Sequence, residues 1–406
     1  GPVRSSFICC MPSNEPTQSF SVNRTDTVCW SGLHGAAEGL AIARAGQTHD
    51  APVVVVADDA RRLRVLAEEI TFFIGSDSTI PIIQFPGWEC LPYDSVSPHP
   101  DITSERLKTL ALLPKTSRGI LLLSANTLCQ RLPPCEYVSG QSFILKSGSA
   151  VESVHLKNQL ATAGYLSVSQ VFYPGEFAVR GGVIDIYPMG SDQPFRLDLF
   201  GDQIERIRFF DPESQKSTET TDSIELLPAR EYPTDDDAIA VFRSNFRKRF
   251  DGDPHRHFVY RGLSEKRLPA GLDYFWPLFF DKQATIFDYL NNRTLWILDS
   301  GHADSLDSHW AVINDRYSLA SMDSERVPLE PQLLFLEPSE VRQQLSQHTV
   351  VYFGVDVAQN YSSVIEYNSQ VPEVFAADIR SPEPFASLLD HIEQSDDRTI
   401  LVMSSH

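Results

Sequence analysis

Val53-Val54-Val55-Val56 is an unbroken apolar run, and it limits what this chain can become more than any other stretch. A strand with one solvated face alternates apolar and polar residues, whereas a run without alternation must be covered on both faces. The helical pattern that follows, Ala60 to Phe73, is rich in Arg, Leu and Glu and offers such cover. Ile80 to Phe85 and Ile120 to Leu123 repeat the theme, with a helix pattern around Ser104 to Leu113 between them. Strand and helix alternate in this way in a parallel sheet wrapped by helices.

The chain has 406 residues, enough for two to four domains at roughly 100–200 residues each. A charged fraction of 22% and an aromatic fraction of 10% are those of globular protein and exclude wholesale disorder. No apolar stretch approaches the ~18 residues that span a membrane. The 54 acidic and 34 basic residues leave a net charge of −20, which argues against a chain that coats DNA or anionic lipid. The excess is uneven: residues 301–406 hold 17 acidic and 5 basic side chains, hence −12, and the first 300 hold −8.

Six cysteines (Cys9, Cys10, Cys29, Cys90, Cys129 and Cys135) form no CxxC pair and no zinc-finger spacing with histidine. They are too sparse for a disulfide scaffold, so reduced thiols in a cytoplasm are expected. Gly1-Pro2 reads as a protease scar and Met11 as an internal start, while Phe7 to Cys10 is too short for a signal-peptide core. Thr399 to Met403 reads as a strand after a helix spanning Pro384 to Glu393. A βαβ unit continues beyond such a strand, so a piece of a longer protein is expected.

From about Gly140 short strands replace the alternation: Ser142 to Lys146, Gln170 to Tyr173, Val183 to Tyr187, Phe195 to Phe200 and Ile204 to Phe210. Turns at Pro174-Gly175, Gly181-Gly182 and Gly201-Asp202 separate several of them, with one helix around Val151 to Ala163. This is an α+β module inside an α/β chain. Helix and strand patterns resume after Pro228 to Tyr232.

Gly32-Leu-His-Gly-Ala-Ala-Glu-Gly39 lies between the apolar run Val28-Cys29-Trp30 and a helix from Leu40. A phosphate loop in this place reads GxxxxGK[ST]: backbone amides cradle phosphate, lysine neutralises it, and the hydroxyl holds magnesium. In register from Gly32, with Gly35 inside the loop, Ala37 takes the second glycine, Glu38 the lysine and Gly39 the hydroxyl. A carboxylate at the lysine position repels phosphate, so a relic that does not bind ATP is expected; the bland reading is a glycine-rich turn with no ligand.

The stretch Trp88-Glu-Cys-Leu-Pro-Tyr-Asp-Ser-Val-Ser-Pro-His-Pro-Asp-Ile-Thr-Ser-Glu-Arg-Leu107 resembles the WETLPYDxxSPHxDIxSxRL block of the bacterial transcription-repair coupling factors. Further blocks fit the same family: Asn126-Thr127-Leu128 with Gln130-Arg131, Gly175-Glu176-Phe177 with Arg180-Gly181, Asp185 to Ser191, Leu226 to Asp235, Leu268 to Gly271 and Pro277 to Phe280. The resemblance is strong from about Ala51 to Tyr289 and fades towards the end.

The resemblance implies a UvrB-like module: a split helicase-like α/β domain with a degenerate nucleotide site and a smaller inserted domain that recruits UvrA. It divides the chain into an extension (1–28), a first half-domain (29–139), the inserted α+β domain (140–228), a second half-domain (229–349) and a short α/β segment (350–406). It implies no cofactor and no catalysis in this stretch. In the longer parent it implies ATP- and magnesium-dependent motor domains, RNA polymerase and duplex DNA as partners, a C-terminal domain that masks the docking face, and a bacterial cytoplasm. The alternative is an ATP-dependent DNA helicase whose altered site still works.

Carried over residue by residue, the UvrA-contacting positions of the family fall on Arg180, Arg196 and Phe200, with Glu176 and Arg206 as weaker candidates. Arg196, Asp198 and Phe200 share one face of their strand by period-2 alternation. The competing reading pairs Arg196 with Asp185 or Asp198 and packs Phe200 at a sheet edge. Phe242, Phe246 and Phe250, interleaved with Arg243, Arg247, Lys248 and Arg249, read as a core helix with a solvated basic face or as a DNA-contacting helix. Asp235-Asp236-Asp237 reads as a helix start with Thr234 as its cap, or as a metal site. His255 and His257 lack ligand spacing.

Overall fold

The computed structural model describes residues 25–354, 360–371, 380 and 382–394, and the backbone of residues 3–4 and 374–375. Its centre is a seven-stranded sheet ordered, edge to edge, Ser363–Glu366, Thr27–Ser31, Val350–Phe353, Leu295–Asp299, Pro52–Ala57, Gly119–Ser124 and Ile82–Gln84. Every neighbouring pair in it is parallel. The valine run sits where its lack of alternation requires, with Val53 to Val56 between Ile120 to Leu123 on one side and Leu295 to Leu298 on the other. Pro52–Ala57, Gly119–Ser124 and Leu295–Asp299 are buried throughout.

Two cores lie on the two faces of this sheet. Val53, Val55, Ile120 and Leu122 pack under the helices Ala37–Thr48 and Ala60–Ile74. The second helix starts on Asp59, whose carboxylate accepts the Arg62 amide at 2.7 Å. It buries Leu63, Leu66, Ala67, Ile70 and Ile74, the spacing of a single apolar stripe. On the opposite face Val54, Val56, Leu121, Leu123 and Leu298 join a larger core that runs through Trp276 and Phe242 into the inserted module.

The insertion is a six-stranded sheet ordered Ser217–Thr221, Gln203–Phe210, Phe195–Phe200, Val183–Ile186, Glu176–Arg180 and Leu166–Ser167. All its pairs are antiparallel except the last. The helix Ser153–Thr162 contributes Leu156 and Leu160 to the core, and Phe143–Lys146 pairs with Ser223–Leu226 where the chain enters and leaves. The expected strand from Gln170 to Tyr173 is a loop: the Glu176 carboxylate accepts the amides of Phe172 and Tyr173, at 2.8 and 2.9 Å, which removes both from any ladder.

The expected break at 349 falls inside the main sheet. Val350–Phe353 pairs with Leu295–Asp299 and with Thr27–Ser31, and Ser363–Glu366 adds the edge strand. These two strands therefore belong to the first domain and not to a separate segment. The helix expected from Pro384 is Ala386–Gln394, and the strand expected at Thr399 to Met403 lies outside the described residues. No described helix is long and apolar enough to cross a membrane.

Candidate functional site

Two places carry the residues singled out above: the turn after Thr27–Ser31 and the outer face of the inserted sheet.

In the turn, Gly32 and Gly35 both have left-handed backbone, with φ of 71° and 55°. The Ala37 and Glu38 amides donate back to the carbonyls of His34 and Gly35, at 3.2 and 3.3 Å, so the loop winds directly into the helix Ala37–Thr48. A distant segment lies across it. Ser369 Oγ accepts the His34 amide at 2.8 Å and donates to the Gly32 carbonyl at 2.7 Å, while the Tyr367 amide donates to the Ser31 carbonyl at 2.9 Å. A Cβ on Gly32 would stand 2.0 Å from the Tyr367 carbonyl oxygen, so glycine is required there by the covering segment.

The side chains of the turn complete a different chemistry. Glu38 is buried and ion-paired to Arg62, whose Nε also donates to Asp299 Oδ2 at 2.9 Å. Burial pushes the Glu38 carboxyl above its ordinary value, against the pull of Arg62. Half-buried Asp58 beside them is pushed up to about 6, by burial first and by Asp299 second. Gly39, at the magnesium-holding position of a phosphate loop, sits where a Cβ would meet the Glu69 Cβ at 2.4 Å; its role is close approach of two helices. Ala37 is the first residue of its helix. The five positions Gly32, Gly35, Ala37, Glu38 and Gly39 thus serve turn, covering, ion pair and packing.

On the inserted sheet one buried carboxylate organises the face. Asp185, 1% exposed, accepts from Arg196 Nε at 2.7 Å, Arg196 Nη2 at 2.9 Å and Arg180 Nη2 at 2.8 Å. Arg196 also donates to the carbonyl and side chain of Gln215, and its guanidinium lies 4.6 Å over the Phe210 ring. The bond to Asp185 holds its pKa above the ordinary guanidinium value. With its side chain only 16% exposed, Arg196 is a locked residue, as its cross-strand register opposite Asp185 dictates. Arg180 is 53% exposed and, among the described residues, anchored at one nitrogen only.

Phe200, 79% exposed, ends its strand at the turn Gly201-Asp202 and is not packed against the sheet edge. Along the same face Asp198 pairs with Arg208 at 2.9 Å and with Arg206 at 3.7 Å. Glu176 ties down its own loop and leaves the list of contact candidates for that reason. Arg208 was not singled out from sequence; its register opposite Arg196 could be found only by pairing the strands. The face carries four arginines against two aspartates, and its apolar tip is Phe200.

The phenylalanines, the aspartates and His257 resolve as structure. Phe242 and Phe246 are buried in the core and Phe250 is half-buried, so the helix Asp236–Arg249 packs by its phenylalanines. Its cap is Asp235, not Thr234: Asp235 Oδ1 accepts the Ala238 amide at 2.9 Å. Buried His257 bonds the Val327 carbonyl at 2.9 Å, and burial lowers its pKa. Among the described residues no group of His, Cys, Asp or Glu could hold a metal, and Cys29, Cys90, Cys129 and Cys135 are free thiols.

The Trp88-to-Leu107 stretch proves to be a joint. Arg106, 1% exposed, binds Glu231 through Nε at 3.0 Å and Nη2 at 3.0 Å, and donates to the Pro86 carbonyl and Gln130 Oε1, both at 2.8 Å. Trp88 Nε1 donates to the same Glu231 at 2.7 Å, and the Arg106 guanidinium lies 4.6 Å over Phe85. Glu231 stands where the chain leaves the insertion, so these residues hold the returning chain to the first half-domain.

Residues 143–232 match the family model described as the UvrB interaction domain. Over 361 residues the chain is 37% identical to the transcription-repair-coupling factor of Haemophilus influenzae, covering 88% of this chain and 31% of that protein. It is 38% identical over 314 residues to that of Escherichia coli, covering 77% of this chain and 27% of the relative. The Myxococcus xanthus protein of the same name is 30% identical over 340 residues, or 80% and 28%. The chain thus spans under a third of the length of these relatives.

Proposed function

Because this chain belongs with the transcription-repair coupling factors, we propose that it is the non-catalytic UvrB-like part of such a factor and that its inserted module recruits UvrA during nucleotide excision repair. The observation that carries this is the exposed Phe200 on a face with an arginine excess, where Arg180 is more than half exposed and bonds Asp185 through Nη2. An exposed aromatic flanked by arginines is the composition of an interface anchor. Arg196 acts in this reading from below, by holding Asp185 and stiffening the face. RNA polymerase, upstream duplex DNA and ATP turnover belong to the longer parent, whose C-terminal domain covers this face until it is needed. The setting is the bacterial cytoplasm.

The closed turn at Gly32 supports an adaptor over an ATP-dependent helicase. Its His34, Ala37 and Glu38 amides are engaged, its lysine position is a buried carboxylate, and its hydroxyl position is a glycine packed on a helix. Calorimetric titration with magnesium-ATP is expected to give no binding heat. For the docking face, Phe200→Ala and Arg180→Ala are each expected to weaken UvrA binding by about 2 kcal/mol, the loss typical of a hot spot. Unchanged UvrA affinity in both variants would remove the face from the proposal.

A further inference from the structure

The second half of the helix Asp236–Arg249 and the segment after it, through the helix Phe258–Ser264, concentrate positive charge in an acidic chain. Residues 243–267 contain eight Lys and Arg against three Asp and Glu, a local net of +5 where the whole chain carries −20. Three of the cations have partners: Arg249 with Glu330, Lys266 with Asp236 and Arg267 with Glu265. Among the described residues Arg243, Arg247, Lys248, Arg256 and Arg261 enter no ion pair, and all but half-buried Arg243 are exposed.

Two of them meet without a counter-ion. Arg243 Nε and Arg247 Nη1 both donate to the hydroxyl oxygen of Tyr260, at 3.2 and 3.1 Å, so two like charges share one neutral acceptor. The Arg243 guanidinium lies 5.2 Å from the centre of the Tyr260 ring, and the His255 ring stands edge-on to it at 5.1 Å. Asp253 spends a carboxylate oxygen on the His255 amide at 3.0 Å. The tyrosine body is buried, which fixes the shared oxygen in place. Holding two guanidiniums together costs repulsion that a bound anion would offset, and arginine forks match phosphate oxygens in pairs.

We infer that this is a seat for the phosphodiester backbone of a nucleic acid, centred on Arg243 and Arg247 and extended by Arg256 and Arg261. A single phosphate would be satisfied by the central pair; the flanking unpaired arginines fit a chain of phosphates. Phe242 and Phe246 of the helix face the core, and the groups that face outward are guanidiniums suited to phosphate oxygens, so recognition is of backbone and not of sequence. The −20 total does not forbid this, because at 0.1 M salt charges beyond about 10 Å are screened and the local patch dominates. The seat is separate from the docking face at Phe200, and either can fail without the other.

The test is fluorescence anisotropy of a labelled 20-base-pair duplex with the full 406-residue chain across a salt series. Binding in the range of about 10⁻⁴ to 10⁻⁶ M is expected, weakening with salt. Arg243→Glu/Arg247→Glu should lower the magnitude of the log–log salt slope by about 1.8, from roughly 0.9 per lost phosphate contact. Because Arg243 also packs on Tyr260, Arg256→Glu/Arg261→Glu serves as a second variant that leaves that packing alone; it should lower the slope too, with UvrA capture intact. No duplex binding by the wild type, or wild-type slopes in the second variant, would overturn the inference. Displacement of the duplex by inorganic phosphate or by polyglutamate at lower ionic strength than sodium chloride requires would also overturn it, in favour of a single-phosphate seat or an acidic protein partner.

Discussion

Removing Arg196 and removing its carboxylate are different experiments. Arg196→Ala leaves Asp185 with Arg180 still attached, whereas Asp185→Ala takes the shared carboxylate from two guanidiniums and leaves Arg196, among the described residues, with Gln215 and Phe210 only. Breaking a buried pair from one side costs about 3–5 kcal/mol. Asp185→Ala is therefore expected to lower unfolding stability by about that amount in urea titration and to weaken UvrA binding, although its carboxylate is out of a partner's reach. Partial rescue of binding by Asp185→Glu would separate positioning of the arginines from general loss of fold. Arg106→Ala should cost a comparable 3–5 kcal/mol by stranding Glu231, yet spare UvrA affinity in the folded fraction, since it lies at the joint and not on the face. At this scale sequence reading named Asp185 as one of two partners for Arg196; choosing between them needed the register. It could not have found Asp185 serving Arg180 as well, because that requires three strands in place.

At the scale of elements, local pattern is what the sequence exposes and distant pairing is what it hides. The helix Ala60–Ile74 was legible because its stripe, its Asp59 cap and its Gly75 stop are all local. Glu176–Arg180 shows in the sequence only as part of a family block, since five residues without alternation become a strand only when Val183–Ile186 pairs with them. The turn at Gly32 divides the same way. Glu38 announced the lost lysine, but nothing near it announced that Ser369, more than 300 residues on, takes the His34 amide. Restoring the lysine should therefore not restore nucleotide binding. In Glu38→Lys the new ammonium would lie beside Arg62, and the covering segment would still hold the loop. Urea unfolding is expected to show a loss of the order of 3 kcal/mol from the broken pair, and magnesium-ATP titration no heat; saturable ATP binding by this variant would mean that the cover opens readily.

For the molecule as a whole, the insertion splits the main sheet in sequence, and the cluster beside the turn at Gly32 joins the two parts. Glu38, Asp58 and Arg62 come before the insertion, and Asp299 and Gly301 after it. Asp58 sits against Gly301, close enough that a Cβ there would lie 2.6 Å from its Cγ, so charge on Asp58 is felt at the seam. Its pKa is raised to about 6 from an ordinary 3.8. An acid with a raised folded pKa binds its proton more tightly in the native state, so stability falls as pH climbs from about 4 to 6 and stays reduced above that. The full shift would be worth about 3 kcal/mol, but solvent reaches half-buried Asp58, and screening brings the expectation nearer 1 kcal/mol. His309 works in the other direction: burial lowers it to about 4, so its contribution is lost as pH falls from 6.5 towards 4. The wild-type profile mixes these with the other shifted groups, Glu38 and His257 among them, and the difference between wild type and Asp58→Asn isolates the seam. Asp58→Asn should melt higher than wild type at pH 8, and that advantage should shrink through pH 6 and vanish near pH 4. A constant offset across this range would place its effect in packing and not in charge.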